Sequence, residues 1–327
     1  MQNTLVTGGT GLVGYNIIQS LLKRGRPVKA LVRSAEKARS VLPASVELIQ
    51  GDITEPVSIA RAIEDCTVVY HAAGLPEQWL KDPGVFTAIN VVGTKNLIEA
   101  AVQARVRRFI YTSTIDVFAA AKKQTYDESV IDDQPKPTYY ERSKQAADKD
   151  VVAALDRGLN AVFLHPSALY GPGPETSPGL NHLIKKLIAN QVPVLLPGGM
   201  PVVYAPDVGE GHVLAEEKAN VGSRYILSES YYDLVDLAQC VYTVFSMSKS
   251  LPFVLPLSLA ETLAMLGEAV AKLINKPPLI PKGQLQFLQW QAKPSHERAK
   301  RDLGWQPTTF VAGLKKYIKY CNYPALY

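Results

Sequence analysis

The sequence predicts a doubly wound α/β fold, a parallel sheet with helices on both faces, joined to a smaller and mostly helical C-terminal lobe. Three observations support this prediction. Short β-branched runs alternate with stretches of helical apolar spacing through the first half of the chain. A glycine-rich turn over residues 7–14 follows the first of these runs at once. After Tyr170 the alternation gives way to Pro- and Gly-rich loops and longer helical segments.

Each predicted strand is a short run rich in β-branched residues, and each predicted helix has apolar residues at three- and four-residue spacing. The predicted strands are Asn3–Thr7, Val28–Val32, Val46–Ile49, Val68–His71, Phe109–Thr112, Ala161–Leu164 and Arg224–Leu227. The predicted helices are Val13–Leu22, Ile59–Ile63, Ile89–Ala101, Lys144–Leu155 and Leu234–Phe245. The pattern predicts a first domain over residues 1–168, to which 199–248 return, and a second lobe formed by 169–198 and 249–327.

Composition excludes several classes of protein. The 327 residues are 47% hydrophobic, which favours a packed core over disorder. The formal net charge is +5, and the densest basic groups, at residues 105–108 and 185–186, fit solvated helix ends. No nucleic-acid partner is therefore expected. The five histidines never pair at metal-ligand spacing, so we expect no metal site.

The cysteines and the apolar segments bear on the compartment. Cys66, Cys240 and Cys321 are odd in number and form no CxxC pair, which favours a reducing compartment. An apolar strand begins at the N-terminus, where a signal peptide would lie. The most hydrophobic stretch, 251–274, carries Glu261 and Glu268 and is predicted to be a packed helix rather than a membrane span. We expect no membrane span and a cytoplasmic protein.

The turn after the first strand has the spacing of a phosphate-binding loop. Gly8, Gly11 and Gly14 follow the pattern GxxGxxG between a strand and a helix. Glycines allow a tight turn and a close approach of backbone to pyrophosphate, and the helix N-terminus offers free N–H groups. The turn therefore predicts a dinucleotide site.

The end of the second strand favours NADP over NAD. An acidic residue there would bind the ribose 2′-hydroxyl, but the sequence reads Val32-Arg33-Ser34, with Lys37 one helical turn on. Arg33 is suited to a 2′-phosphate, although a solvated arginine is the alternative.

Tyr140 and Lys144 share one face of a predicted helix. A nearby ammonium stabilises phenolate, so we expect a tyrosine with a lowered pKa, suited to proton transfer. The preceding strand ends in Tyr111-Thr112-Ser113-Thr114 and brings hydroxyls to the carboxyl edge of the sheet, where ligands of such folds bind.

The order of these motifs resembles the extended short-chain dehydrogenase/reductase family of NAD-dependent epimerases and dehydratases. The run Arg108–Thr114 resembles the branch of dihydroflavonol reductases and 3β-hydroxysteroid dehydrogenases. The matching motifs are TGGTGLVG (7–14), Gly51-Asp52-Ile53, His71-Ala72-Ala73-Gly74, Asn90, YTST (111–114), Tyr140 with Lys144, Pro166-Ser167-Ala168-Leu169-Tyr170-Gly171-Pro172 and Arg301-Asp302-Leu303-Gly304-Trp305-Gln306-Pro307.

The resemblance implies a Rossmann domain, a substrate lobe and roles for individual residues. Tyr140 is the general acid/base, Lys144 tunes it and holds the nicotinamide ribose, and Thr114, with Ser113 beside it, takes the place of the catalytic serine. The implied cofactor-binding residues are Gly8, Thr10, Gly11, Leu12, Val13, Gly14, Arg33, Lys37, Asp52, Ile53, Ala72, Ala73, Gly74, Tyr140, Lys144, Pro166 and Ser167. The loops that the family places around the substrate contain Gln78, Trp79, Phe118, Tyr170 and Met200, each either a packing or a recognition residue.

Other polar residues are open to two interpretations. His71 fits a core group, Asn90 fits a structural residue or one that positions a water, and Asp116 is either a loop cap or a substrate contact. The resemblance also implies a homodimer through the helices that carry Asn90 and Tyr140, with a monomer as the alternative.

Two departures from the family pattern bear on the substrate. His165 stands where many members carry arginine, and residues 199–208 lack the arginine that sugar-nucleotide epimerases use on the diphosphate. Without a bidentate cation a diphosphate loses its strongest contact. We therefore expect an NADP(H)-dependent oxidoreductase for a ketone or secondary alcohol of a fairly apolar small molecule, of dihydroflavonol or hydroxysteroid type. The alternatives are a nucleotide-sugar epimerase or dehydratase and a catalytically silent NADP-sensing protein.

Overall fold

A computed structural model of the chain describes residues 3–77, 79–176, 179–274 and 276–321. The strands are β1 (Asn3–Thr7), β2 (Val28–Val32), β3 (Glu47–Gln50), β4 (Cys66–His71), β5 (Arg108–Thr112), β6 (Thr125–Tyr126), β7 (Ala161–Pro166), β8 (Ala168–Tyr170), β9 (Val194–Leu195), β10 (Gly199–Tyr204), β11 (Arg224–Leu227), β12 (Ser230–Asp233), β13 (Phe253–Val254) and β14 (Lys293–Pro294).

The helices cover both faces of the sheet and most of the C-terminal part. They are α1 (Leu12–Lys23), α2 (Ala35–Arg39), α3 (Pro56–Ile63), α4 (Gly84–Phe86), α5 (Gly93–Gln103), α6 (Tyr139–Leu155), α7 (Leu180–Ile188), α8 (Ala205–Lys218), α9 (Leu234–Val244), α10 (Leu257–Ile274), α11 (Lys282–Trp290), α12 (Glu297–Leu303) and α13 (Phe310–Cys321). A π-helical segment, Thr87–Val92, joins α4 to α5, and a 3-10 turn covers Ile115–Val117.

The main sheet has seven strands in the order β11-β7-β5-β4-β1-β2-β3, and all its neighbouring strands run parallel. The predicted doubly wound parallel sheet is confirmed. The strand order reverses at β1, whose neighbours are β4 and β2. The carboxyl ends of β1 and β4 therefore border the crevice in which ligands of such folds bind.

Two apolar layers hold the sheet in place. One face packs α1, α8 and α12 against residues such as Ile17 and Trp305, and the other packs α3, α5 and α6 around Phe109 and Val151. The layers bury near-continuous apolar runs, as a two-sided parallel sheet requires. The Trp305 indole donates to the Asp207 carbonyl at 2.7 Å, so the C-terminal motif seals the helical layer next to β11.

The predicted helices are present, and capping residues determine where they begin and end. The helix predicted to begin at Lys144 starts at Tyr139, because Thr138 and Glu141 form a reciprocal capping box. Tyr140 and Lys144 therefore lie on one helix, as predicted. The helix predicted over 89–101 is longer and includes the π-helical segment. Such segments are frequent at functional sites.

The segments after Tyr170 divide between two regions. Strand β11 joins the main sheet, whereas β8, β10 and β12 form a separate three-stranded sheet. That sheet packs with α7, α9 and α13 around Tyr170 and Phe310. Helix α12, which the prediction assigned to the second lobe, packs on β11 and α8. The division of the chain into two domains stays a prediction.

Two long apolar helices differ from the sequence expectation. The stretch predicted to be a packed helix is α10, but it buries Ala260, Ala264 and Ala271 and exposes larger side chains such as Leu266. Among the described residues, a different segment, Gly84–Gln103, is long and apolar enough to cross a membrane by length and composition (20 residues, mean hydropathy 1.2). Its α5 portion lies in the helical layer between α3 and α6.

Candidate active site

The turn between β1 and α1 forms a cradle of backbone. A Cβ on Gly8, whose φ is +73°, would lie 2.5 Å from the Ala73 nitrogen, and one on Gly14 would lie 2.3 Å from the Gly8 oxygen. These two glycines are therefore required by backbone packing. A Cβ on Gly11 would meet only the Gly8 oxygen, at 3.4 Å. Gly11 thus leaves open space at the N-terminus of α1, where free N–H groups favour an anion.

The other predicted cofactor residues surround this turn. The Ala72 nitrogen donates to the Thr7 carbonyl at 3.2 Å, and the Ala73 nitrogen donates to the Thr7 hydroxyl at 3.3 Å. Ala72 to Gly74 therefore run beside the glycine turn. The cradle fits a dinucleotide phosphate.

Two charged side chains lie exposed beyond the end of β2. Arg33 and Lys37 flank Ser34, whose hydroxyl caps α2 by accepting from the Lys37 nitrogen at 3.2 Å. This hydrogen bond fixes the backbone between Arg33 and Lys37. Near the end of β3, Asp52 accepts from the nitrogen and the hydroxyl of Thr54, both at 2.8 Å, and Ile53 is buried.

The predicted catalytic hydroxyls meet at the carboxyl end of β5. Tyr140 lies in the first turn of α6 and is half-buried, and its hydroxyl is hydrogen-bonded to that of Thr114. The Thr114 hydroxyl in turn donates to Oδ2 of Asp116 at 2.8 Å. Since Thr114 has one hydroxyl proton, the Tyr140 hydroxyl is the donor to Thr114 in this arrangement. Three side chains thus form a continuous chain of hydrogen bonds.

Lys144 lies beneath this chain and is 7% exposed. Its Nζ donates to the Tyr111 hydroxyl at 3.1 Å and to the Thr112 carbonyl at 2.8 Å. Burial lowers the pKa of Lys144 to about 8, although Asp148 opposes the shift. The ammonium is therefore held against β5 and remains charged at neutral pH.

The expected lowering of the Tyr140 pKa is corrected. Burial, chiefly, and the Asp116 carboxylate raise the pKa of the Tyr140 hydroxyl, and Thr114, which can donate a hydrogen bond to the phenolate, offsets this only in part. The physical reason is the position of Lys144, whose hydrogen bonds go to Tyr111 and Thr112. In this arrangement Tyr140 is a weaker acid than a free tyrosine.

Ser113 faces away from Tyr140, because successive residues of an extended chain point to opposite sides. Its hydroxyl donates to Oδ2 of Asp148 at 2.8 Å. Arg224 donates to both oxygens of the same carboxylate, at 2.6 and 3.1 Å. The geometry favours Thr114 over Ser113 as the catalytic hydroxyl: Ser113 is bonded to a buried ion pair, and Thr114 is bonded to Tyr140. The catalytic assignment of both residues stays a prediction.

His165 is part of the same buried network. Its Nδ1 lies 3.0 Å from the Thr114 carbonyl and its Nε2 lies 3.2 Å from Nη1 of Arg224. A carbonyl accepts and a guanidinium donates, so Nδ1 carries the proton. Burial lowers the pKa of His165 to about 3, which keeps the ring neutral. His165 thus fixes the backbone that carries Thr114.

Asp116 is 9% exposed and lies two residues beyond Thr114. The loop cap proves to be Thr114, whose hydroxyl accepts from the Asp116 nitrogen at 3.3 Å. Oδ2 of Asp116 accepts from Thr114, and among the described residues Oδ1 is buried without a partner. Burial raises the pKa of Asp116 to about 7.

Strand β7 ends at Pro166, where the resemblance places the nicotinamide. The following Ser167 donates its backbone nitrogen to the Leu227 carbonyl at 3.1 Å. Its hydroxyl is buried and has no partner among the described residues. A buried unpaired hydroxyl is costly, so this atom fits a ligand with a polar group.

The predicted substrate residues divide into two groups. Trp79 and Met200 are half-buried. Phe118 and Tyr170 are both fully buried, which favours the packing alternative for them. Phe118 packs on His165 with ring centroids 4.5 Å apart, and Tyr170 packs edge-on against Phe310 at 4.9 Å. Gln78 lies outside the described residues.

Two polar residues prove structural. His71 is hydrogen-bonded to the hydroxyls of Thr7 and Thr94, at 2.8 and 2.9 Å, as a satisfied core histidine. Asn90 donates to the Ser143 hydroxyl at 2.8 Å and accepts from the Leu75 nitrogen at 2.7 Å. Its amide therefore ties the loop after β4 to α6.

Tyr111, Asp148 and Arg224 were missed from the sequence. Asp148 follows Lys144 by four residues on one helix, a spacing that could have linked them. The place of Arg224 depends on the pairing of β11 with β7, which the sequence does not specify.

The cradle, the Tyr140–Thr114 pair and the buried Lys144 define an NAD(P)-dependent enzyme of the extended short-chain dehydrogenase/reductase class. The model of the "NAD dependent epimerase/dehydratase family" matches residues 4–227, and the chain belongs to this family, which binds a nicotinamide dinucleotide.

Relatives with named activities extend over almost the whole chain. A putative dihydroflavonol 4-reductase of Synechocystis is 27% identical over 308 residues, covering 91% of this chain and 88% of that protein. A 3-beta-hydroxysteroid dehydrogenase of Mycolicibacterium neoaurum is 28% identical over 330 residues, covering 93% and 86%. The crystal structure of gox2253 has a TM-score of 0.82 at 27% identity and covers 98% of each chain. The predicted family is confirmed.

Proposed function

We propose that this protein is an NADP(H)-dependent oxidoreductase that interconverts a ketone and a secondary alcohol in a fairly apolar small molecule. The observation that carries the proposal is the hydrogen-bonded pair of Tyr140 and Thr114 at the carboxyl edge of the sheet. One hydroxyl exchanges a proton with the substrate oxygen, and the other stabilises charge on it. The relatives named as a reductase and a dehydrogenase also support an oxidoreductase that acts on a ketone or an alcohol.

The residues of the chain would divide the work as follows. When bound, the nicotinamide supplies or accepts the hydride at the substrate carbon. Tyr140 gives its proton to the oxygen of the ketone as negative charge develops there, or removes it from the alcohol. Thr114 holds the oxygen by hydrogen bonding. Lys144 contributes a fixed positive charge from beneath, and Ser167, whose hydroxyl has no partner among the described residues, would hold the carboxamide.

The preference for NADP rests on charge near the end of β2. Arg33 and Lys37 are exposed there, and the residues directly after the strand, Arg33 and Ser34, include no acid to bind a ribose hydroxyl. A guanidinium pairs well with a phosphate dianion. The remaining predicted contacts, from Thr10, Leu12, Val13, Asp52, Ile53 and Pro166 to the dinucleotide, are part of this proposal.

The apolar substrate is supported by the state of the nearby cations. Arg224 reaches the position next to His165, but it is bound to Asp148 and its side chain is 12% exposed. Because this guanidinium is already paired with a carboxylate of the protein, it is unsuited to binding a diphosphate. Residues 199–208 contain no arginine. We therefore favour a ketone or alcohol over a nucleotide sugar.

The test follows NADPH oxidation with a panel of flavonoid, steroid, aryl and aliphatic ketones. Tyr140→Phe is compared with Tyr139→Phe, a matched change at a neighbouring ring that is 57% exposed. We expect turnover by the wild type and by Tyr139→Phe, and a loss of about 100-fold or more in Tyr140→Phe with unchanged NADPH affinity. Full activity in Tyr140→Phe would overturn the assignment of the acid. Binding of NADPH without turnover, together with micromolar binding of a UDP-sugar, would favour the epimerase alternative.

A homodimer through the helices that carry Asn90 and Tyr140 stays a prediction. Sedimentation of the purified protein at two concentrations would decide between it and a monomer.

A further inference from the structure

The hydrogen-bond chain that begins at Tyr140 ends on a carboxyl group. Thr114 bridges the Tyr140 hydroxyl to Oδ2 of Asp116 over 2.8 Å. The other carboxyl oxygen is buried and has no partner among the described residues. A carboxylate with an unsatisfied buried oxygen is costly, whereas a neutral carboxyl group is tolerated much better. The geometry thus favours a proton on Asp116.

The groups that face Asp116 come from three parts of the chain. Glu141 on α6 raises its pKa by repulsion, and Lys136 in the preceding loop lowers it. The Lys136 ammonium is paired with Asp132 at 2.6 Å and donates to the Phe118 carbonyl at 2.9 Å. Tyr140 and the Tyr126 hydroxyl of β6 are the other titratable neighbours, and the Asp116 carboxylate raises the pKa of both. Burial is the largest cause of the upward shift at Asp116, and the net result is a group that titrates near pH 7.

Tyr140 needs a source of protons. Burial disfavours its phenolate, so a phenolate left after proton transfer is a strong base. Lys144 is bonded to Tyr111 and Thr112, whereas Thr114 is bonded to Tyr140 directly. A hydroxyl that both donates and accepts can pass a proton along by reversing the direction of its two hydrogen bonds.

We propose that Asp116 stores the proton that restores Tyr140 during ketone reduction, and that Thr114 delivers it. This inference rests on the proposed function. As hydride reaches the substrate carbon, the Tyr140 O–H bond breaks and its proton forms the new alcohol O–H. The Thr114 hydroxyl then turns from Oδ2 of Asp116 to the phenolate and gives it its proton. The Asp116 carboxyl group rotates so that its protonated oxygen faces Thr114, and its proton moves to the Thr114 oxygen. Asp116 is left as a carboxylate that takes a proton from solvent, so one ketone, one NADPH and one solvent proton give one alcohol and NADP⁺. In alcohol oxidation every transfer runs in reverse.

The first experiment reads the proton directly and needs no turnover. The aspartates are labelled with ¹³C at the carboxyl carbon, and the full chain is titrated by NMR. We expect one resonance that titrates near pH 7 and is absent in Asp116→Asn. Asp133→Asn is the control, since this carboxylate is 87% exposed. If the resonance lost in Asp116→Asn titrates below pH 5, the store is overturned.

The second experiment measures multiple-turnover reduction and oxidation against pH, because the first turnover uses the proton that Tyr140 already holds. Asparagine keeps an oxygen that accepts from Thr114 but exchanges no proton, so Asp116→Asn should lower the reduction rate by roughly 10- to 100-fold with unchanged NADPH affinity. In the wild type, reduction should slow and oxidation should quicken as pH rises through 7. Both dependences should vanish in Asp116→Asn and return in Asp116→Glu, whereas a merely structural role would change the rate without changing its pH dependence.

The two experiments separate this inference from the function it rests on. A wild type that reduces no ketone, yet shows Asp116 titrating near pH 7, would overturn the proposed function and leave the stored proton supported. Rapid ketone reduction by Asp116→Asn with the wild-type pH profile would overturn the relay and leave the reductase intact.

Discussion

Nζ of Lys144 lies 3.1 Å from the hydroxyl of Tyr111, a residue near the carboxyl end of β5. The same ammonium lies 4.7 Å from the centre of the Tyr111 ring. A strand residue thus holds the cation that the family pattern pairs with Tyr140. This contact explains why burial, and not the cation, governs the acidity of Tyr140.

The lowered pKa of Lys144 predicts that stability depends on pH. The pKa falls from its ordinary value of 10.5 to about 8 on folding, so the unfolded chain binds the extra proton between these values. The free energy of unfolding should therefore rise with pH from 8 to 10.5, by up to about 3 kcal/mol from this group. Lys144→Met removes the titration. Urea unfolding of both proteins at several pH values should show a difference that changes across this window, and a constant difference would contradict the shift.

Ser113 and Thr114 should respond differently to loss of their hydroxyls. Ser113→Ala removes a hydrogen bond to Asp148 and should cost about 1 kcal/mol of stability, with activity changed by no more than a few-fold. Thr114→Val removes the hydroxyl that we propose holds the substrate oxygen and should lower kcat by about 100-fold or more. Thr114→Ser should restore most of that loss. Equal losses of kcat in Ser113→Ala and Thr114→Val would contradict the assignment.

The two glycines of the cradle should separate ligand binding from folding. In Gly11→Ala the new Cβ meets the Gly8 oxygen at 3.4 Å, so the fold should persist while the affinity for NADPH falls at least about 10-fold. In Gly14→Ala the Cβ would lie 2.3 Å from that oxygen, which should lower the melting temperature. Calorimetry and NADPH titration measure the two effects. If Gly11→Ala binds NADPH with wild-type affinity, the phosphate of the cofactor does not bind at this turn.

Arg33 should decide between the two dinucleotides. A charge-assisted contact with a 2′-phosphate contributes about 1.5–3 kcal/mol, so Arg33→Glu should raise KM for NADPH by roughly 10- to 100-fold. KM for NADH should stay within about twofold of the wild-type value. Arg105→Glu, at an exposed arginine in the turn after α5, serves as the control for net charge. If KM rises equally for NADPH and NADH in Arg33→Glu, Arg33 does not bind the 2′-phosphate.

The sequence by itself determined the fold class, the glycine cradle and the positions of Tyr140, Lys144 and Thr114. These features depend on local order: a strand, a turn of fixed spacing, or two side chains one helical turn apart. They can therefore be predicted without knowing which distant residues are in contact.

Only the tertiary structure decided which way each side chain faces and what it meets. The pairing of β11 with β7 brings Arg224 to Asp148, the carboxylate to which Ser113 donates. The packing of α6 on β5 places the Lys144 ammonium within hydrogen-bond distance of the Tyr111 hydroxyl. The burial of Asp116 raises the pKa of its carboxyl group. Desolvation and ion pairing depend on groups far apart along the chain, and only the folded arrangement brings these groups together.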